Sequence, residues 1–89
     1  MKEKEYELLL VTTDENAYLQ IKDKFFEKFS VAVKKEDVWG ERRLAYPIKK
    51  KLSGYYVVLA ITLPPENIAP LGKALELEDA VLRNLLFRK

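Results

Sequence analysis

Arg42, Arg43, Lys49, Lys50 and Lys51 gather five cations within residues 42–51, and only Glu41 beside them opposes the charge. They bracket a short apolar kernel, Leu44-Ala45-Tyr46-Pro47-Ile48, and stand just before two adjacent tyrosines, Tyr55 and Tyr56. The chemistry such a run offers is anion binding: a guanidinium grips phosphate oxygens bidentately, and lysines add point charge nearby. Solubilising charge at a hairpin has the same composition, so the run alone leaves both readings open. The net charge of +2 is too small to imply nucleic-acid binding by itself. Where the cations sit matters more than their sum.

Most other chemistry is excluded by what is missing. The chain contains neither cysteine nor histidine. That removes disulfides, thiolate metal sites, and both the commonest general base and the commonest transition-metal ligand. No cofactor is expected, and no nucleophile paired with a base can be read. Isolated carboxylates such as Glu7 and Asp79 read as solvated surface charge. The expectation is therefore a non-enzyme with no small-molecule substrate. No apolar run approaches the ~20 residues that span a bilayer, and the start, MKEKEYE, lacks a signal-peptide core. A cytoplasmic protein without membrane contact is expected. With 89 residues, 48% hydrophobic and 34% charged, the composition is globular and suits one domain over residues 1–89.

The cations need a scaffold. Residues 6–12, YELLLVT, read as a strand. Thr13-Asp14-Glu15-Asn16 supplies a helix start, with a capping oxygen followed by acidic residues that favour the helix dipole. Tyr18, Ile21, Phe25 and Phe29 come next at helical spacing, widened by Leu19 and Phe26, and the helix ends near Ser30. Val31, Val33, Val38 and Trp39 favour a strand over residues 31–39. Its Lys34-Lys35-Glu36-Asp37 insert suits a sheet edge, where charge discourages pairing with other chains. Gly40 and Ser53-Gly54 punctuate the stretch between this strand and the next. Residues 55–63, YYVVLAITL, are apolar on both faces, as a central strand is. Pro64-Pro65 ends that strand, Asn67 caps a second helix with Ile68, Leu71 and Leu75 as its stripe, and Pro70 is tolerated in the first turn. Residues 82–88, LRNLLFR, form the last strand.

The order strand, helix, strand, strand, helix, strand, with right-handed crossovers, makes an α+β fold. It is the ferredoxin-like βαββαβ arrangement: a four-stranded antiparallel sheet with two helices on one face, the first and third strands central. This fold hosts many functions. Metal-carrier versions need a cysteine pair. Acylphosphatase-like versions need a glycine-rich anion loop after the first strand, where this chain has the acidic Thr12-Thr13-Asp14-Glu15. RNA-recognition domains need two stacking aromatics on one face of the third strand. Here Tyr55 and Tyr56 are consecutive and must point to opposite faces.

Gly40-Glu41-Arg42-Arg43-Leu44-Ala45-Tyr46-Pro47-Ile48, followed by Gly54-Tyr55-Tyr56, resembles the signature of the bacterial small-subunit ribosomal protein six family. Tyr6-Glu7 is similar to that family's first strand and Val81-Leu82-Arg83 to its last. The resemblance implies the same fold and a structural role on the ribosome. It implies binding to small-subunit ribosomal RNA together with small-subunit ribosomal protein eighteen. By match to the motif, Arg42 and Arg43 are the expected RNA contacts. Lys49, Lys50 and Lys51 add charge, and the apolar kernel with Pro47 steadies the hairpin. Lys2, Arg88 and Lys89 form a separate candidate patch at the opposite end of the sheet. Many family members continue past the last strand in a tail that helps hold the partner; the sequence here ends at Lys89.

Alternation defines a face for that partner. If Glu7 points away from the helices, then Tyr6, Leu8 and Leu10 face the core, as do Val57, Leu59, Ile61 and Leu63. That leaves Leu9, Val11, Tyr56, Val58 and Ala60 as an apolar patch on the open face, the usual mark of an interaction site. The fourth strand is unassigned, because both of its alternations mix apolar and polar residues. The alternative from another class is a regulatory or protein-interaction module that dimerises through its sheet and binds a small ligand.

Overall fold

The computed structural model describes residues 4–88. Its elements are β1 (Lys4–Thr12), α1 (Glu15–Ile21), a π-helical continuation (Lys22–Phe26), β2 (Ala32–Ile48), β3 (Lys51–Leu63), a 3-10 turn (Pro65–Asn67), α2 (Ile68–Leu77) and β4 (Val81–Arg88). The sheet is antiparallel in the order β2-β3-β1-β4, so β1 and β3 are central and the charged β2 is an edge.

Alternation along the two central strands builds the core. Leu8 and Leu10 of β1 and Val57, Leu59, Ile61 and Leu63 of β3 are fully buried. They meet Tyr18, Ile21, Phe25 and Phe26 from the first helix and Leu71 and Leu75 from α2. Asp14 caps α1, its carboxylate accepting from the Ala17 N–H at 2.8 Å, which satisfies one donor the helix start leaves free. The first helix closes with Ser30 in the left-handed region (φ 56°), and the Val31 N–H donates to the Phe26 carbonyl at 2.7 Å. That is the Schellman closure usually made with glycine.

Asn67 precedes α2 as expected, but its side chain does not cap that helix. Its amide donates instead to the Phe29 carbonyl at 2.8 Å, tying the end of the first helix to the start of the second. The edge strand is tied down as well. Glu36 accepts from the Tyr18 hydroxyl and from Lys22 Nζ, the latter at 3.0 Å. The Tyr18 bond, then the Lys22 bond, hold the Glu36 carboxyl below its ordinary pKa. Burial, reinforced by Glu36, pushes the Tyr18 phenol up.

The largest departure from the sequence expectation is the second strand. It does not stop at Gly40 but runs to Ile48, and β3 begins at Lys51 rather than Tyr55. The two form a long ribbon that extends past β1, whose pairing with β3 ends at Thr12↔Tyr55. Gly40 does not break the ribbon because it occupies a bulge, with φ at 81° and the register shifting between Val38 and Gly40. A left-handed glycine at a bulge bends and twists a strand without ending it. The ribbon accounts for the elongated outline of 42 × 23 × 20 Å.

Candidate nucleic-acid interface

The tip of the ribbon is a two-residue turn at Lys49 and Lys50, flanked by the pair Ile48↔Lys51. Both turn residues have positive φ, 49° and 66°. That sense of turn matches the twist of the strands and is usually made by Asn-Gly. Lysines there cost roughly 1 kcal/mol each. Lys49 offsets some of this, because its Nζ donates to the carbonyls of Val81 at 3.1 Å and Asp79 at 3.5 Å. The tip is thus latched to the start of β4. Between Arg43↔Ser53 and Ile48↔Lys51 the pairing is interrupted, so residues 44–47 stand opposite Leu52 alone. Leu44 and Ile48 are half-buried there, while Tyr46 is 80% exposed. The apolar kernel anchors the ribbon through its two ends only.

The expected arginine pair is divided. Arg42 pairs in register with Gly54 and Arg43 with Ser53. Arg42 lies with Tyr56 on the open side, lining a concavity with it and Trp39. Alternation sends Arg43 to the other side of the ribbon. Lys50 and Lys51 are exposed at the tip. Lys49 is the exception among the three lysines, since its ammonium is engaged by carbonyls rather than free.

Arg83 is a cation that sequence reasoning did not assign. It pairs with Val11 across β4 and lines a second concavity with Leu44, Ala45, Tyr46, Ile48 and Tyr56. Its position next to Val11 in the sheet is a tertiary fact with no signal in the sequence around it. Of the terminal patch, Arg88 is exposed opposite Tyr6, at the far end of the sheet from the ribbon tip. Lys2 and Lys89 lie outside the described residues.

The open face carries Leu9, Tyr56, Val58 and Ala60, each partly buried. Glu7 sits among them, lining a groove with Val58, Ala60, Lys35 and Asp37. Val11 differs from the expectation: it belongs to this face by alternation but is fully buried. The reason is Gly54. A Cβ there would stand 2.6 Å from Val11 Cγ1 and 3.3 Å from Leu82 Cδ1. Val11 and Leu82 fill the room the glycine leaves, and Val11 offers nothing to a partner.

The structure assigns the facing of the fourth strand. Leu85 pairs with Leu9 and Phe87 with Glu7, so both lie on the open face, 43% and 50% exposed. Leu86 packs on the core side. A bulge opposite Val11 and Thr12 shifts the phase of this strand, which is why its alternation was unreadable. Leu85 and Phe87 enlarge the apolar patch to Leu9, Val58, Ala60, Leu85 and Phe87, with the aromatic Tyr56 at its border toward the cations. Among the described residues no helix is long and apolar enough to cross a membrane.

Comparison with known proteins adds to this geometry. Residues 5–88 match the family model of ribosomal protein S6. The small ribosomal subunit protein bS6 of Corynebacterium efficiens is 40% identical over 91 residues, which cover 96% of each chain. That of Corynebacterium diphtheriae is 38% identical over 89 residues, 93% of this chain and 94% of its own. The crystal structure of 30S ribosomal protein S6 from Thermotoga maritima superposes with a TM-score of 0.80. It covers 99% of this chain and 89% of its own at 23% identity, a likeness of fold.

Proposed function

The chain belongs to the ribosomal protein S6 family, and from that membership we propose that it is a non-catalytic structural component of the bacterial small ribosomal subunit. In this reading it works in the cytoplasm on the ribosome and binds small-subunit ribosomal RNA together with small-subunit ribosomal protein eighteen. The RNA side is the ribbon with Arg42, Arg43, Lys50 and Lys51, joined by Arg83. The protein side is the open face of Leu9, Val58, Ala60, Leu85 and Phe87.

One observation carries the reading. The cations Arg42 and Arg83 border the same face that exposes Leu85 and Phe87. A surface with phosphate-binding and apolar zones side by side is suited to an RNA and a protein held together. With a net charge of +2, long-range attraction to RNA is weak, and joint binding compensates because the second contact becomes intramolecular.

The test is a sedimentation and a binding series. Tagged protein expressed in bacterial cells should travel with small subunits through a gradient. In vitro, affinity for a small-subunit ribosomal RNA fragment should rise severalfold when protein eighteen is added. Migration as a free dimer, with no RNA affinity in either condition, would instead favour a regulatory module.

A further inference from the structure

Trp39, the only tryptophan of the chain, is the extra residue of the β2 bulge: Val38 pairs with Val57, Gly40 with Tyr56, and Trp39 has no partner. The bulge turns its side chain onto the open side, where the indole lies over the Tyr56 ring. The two planes are within 9° of parallel and the centroids 6.3 Å apart. The indole is also held from its edge, since Nε1–H donates to Asp37 Oδ2 at 3.1 Å. Yet it is 48% exposed, far from the core that an aromatic of this size ordinarily joins. Arg42 completes the lining of a shallow, open concavity beside the two rings, a shape that admits a flat group against the exposed indole.

We infer that Trp39, Tyr56 and Arg42 form a stacking site for one unpaired nucleobase, with the Arg42 guanidinium on the phosphate of that nucleotide. The inference rests on the RNA-binding reading and specifies what the RNA must present there: a single-stranded position, not a helix. A pre-fixed aromatic surface suits a flat base, which stacks without regard to sequence. The cations nearest Tyr56 favour an anion, while the Asp37 carboxylate at the indole edge is occupied by the Nε1–H. Arg42 and Arg83 both face Tyr56, so an anion is drawn in and a partner's cationic side chain is repelled. The apolar patch of Leu9, Leu85 and Phe87 lies further along the same face and remains for the protein partner.

Emission from the single tryptophan reports the site directly. The protein is titrated at low salt with a short single-stranded oligoadenylate, and separately with the same strand paired to oligouridylate. Single strands should quench Trp39 strongly; the duplex, which has the charge but no free base face, should quench little. Trp39→Leu should weaken single-strand binding roughly five- to 150-fold, the range one stacked base supplies. Trp39→Phe should recover most of that loss, and neither variant should change duplex affinity. Equal quenching by both forms, or none by either, overturns the base site. Quenching by protein eighteen alone in the absence of RNA also overturns it, assigning the corner to the protein interface. The RNA-binding reading fails separately, if small-subunit ribosomal RNA with protein eighteen present does not bind the wild-type chain at all. A Trp39→Leu chain that still joins small subunits with unchanged RNA affinity sinks the stacking site and leaves that reading standing.

Discussion

Lys49, at the tip of the β2–β3 ribbon, places its ammonium 3.1 Å from the carbonyl oxygen of Val81, the first residue of β4. The most basic segment of the chain is thus fastened to the sheet by one of its own cations. A lysine so engaged steadies the tip, and the neighbouring Lys50 and Lys51 remain for anions. Lys49→Met should therefore speed amide exchange in residues 44–52 and cost no more than about 1 kcal/mol, the scale of one net hydrogen bond. The salt slope of RNA binding should stay as it was, whereas Lys50→Ala should lower it. A Lys49→Met variant that loses one phosphate's worth of salt slope with unchanged exchange would falsify the latch.

Arg42 and Arg43 point to opposite sides of the ribbon and cannot clamp one phosphate together. Each single alanine variant should reduce the salt slope by about one. Their effects on affinity should add in the double variant, with a coupling below roughly 0.5 kcal/mol. A double-mutant cycle on a small-subunit RNA fragment measures this. Coupling well above that value means both guanidiniums hold the same group.

The open face predicts a separation of folding from assembly. Val58 and Leu85 lie there, outside the core. Replacing both with glutamine should leave a folded chain, at a cost of about 1 kcal/mol in strand preference and packing. Affinity for protein eighteen should fall at least tenfold, as loss of central apolar contacts does, and affinity for RNA alone should not move. Calorimetry on the two partners separately decides it, and an intact protein complex shifts the docking surface to the β2 edge.

The Tyr18–Glu36–Lys22 cluster predicts an acid-sensitive edge. Glu36 titrates lower in the folded chain than in the unfolded one, chiefly through the Tyr18 bond and then Lys22. A depressed carboxylate stabilises above its unfolded pKa, about 4.3, and loses that contribution as the pH falls through its folded pKa. The raised Tyr18 contributes throughout the range below its unfolded value, about 10, so neutral pH has both. Tyr18→Phe should cost about 1 kcal/mol at pH 7, and the deficit should shrink near pH 3. Urea melts of both proteins at the two pH values test this. A deficit that grows on acidification contradicts the assignment.

Period-two patterning was legible wherever a strand is regular. In β1 and β3 it sorted Leu8, Leu10, Val57, Leu59, Ile61 and Leu63 into the core and left Leu9, Tyr56, Val58 and Ala60 outside, as the structure has them. It also separated Tyr55, which packs against Tyr18 at 5.9 Å, from Tyr56 on the other face. The helix start within residues 13–16, the order of elements and the edge position of the charged strand were readable for the same reason, and the structure singles out Asp14 as the cap. Each is decided by local stereochemistry or by a hydrophobic repeat, and both are written in neighbouring residues.

The candidate surface was decided elsewhere. Three irregularities shape it: the bulge that turns out Trp39, the interrupted pairing at residues 44–47, and the bulge that sets the facing of Leu85 and Phe87. A bulge adds one residue to one strand only, so its effect exists only relative to the partner strand. No pattern within a single segment can record it. The same holds for Val11, which alternation puts on the open face. It is buried because Gly54, 43 positions away in the chain, has no side chain to keep it out. The sequence by itself determined the fold and pointed to the basic run at residues 42–51 as a candidate for phosphate, but not to Arg83. Only the tertiary structure determined which of those cations are free, which is latched, and that Arg42 shares its corner with two stacked rings, because those relations depend on register across strands.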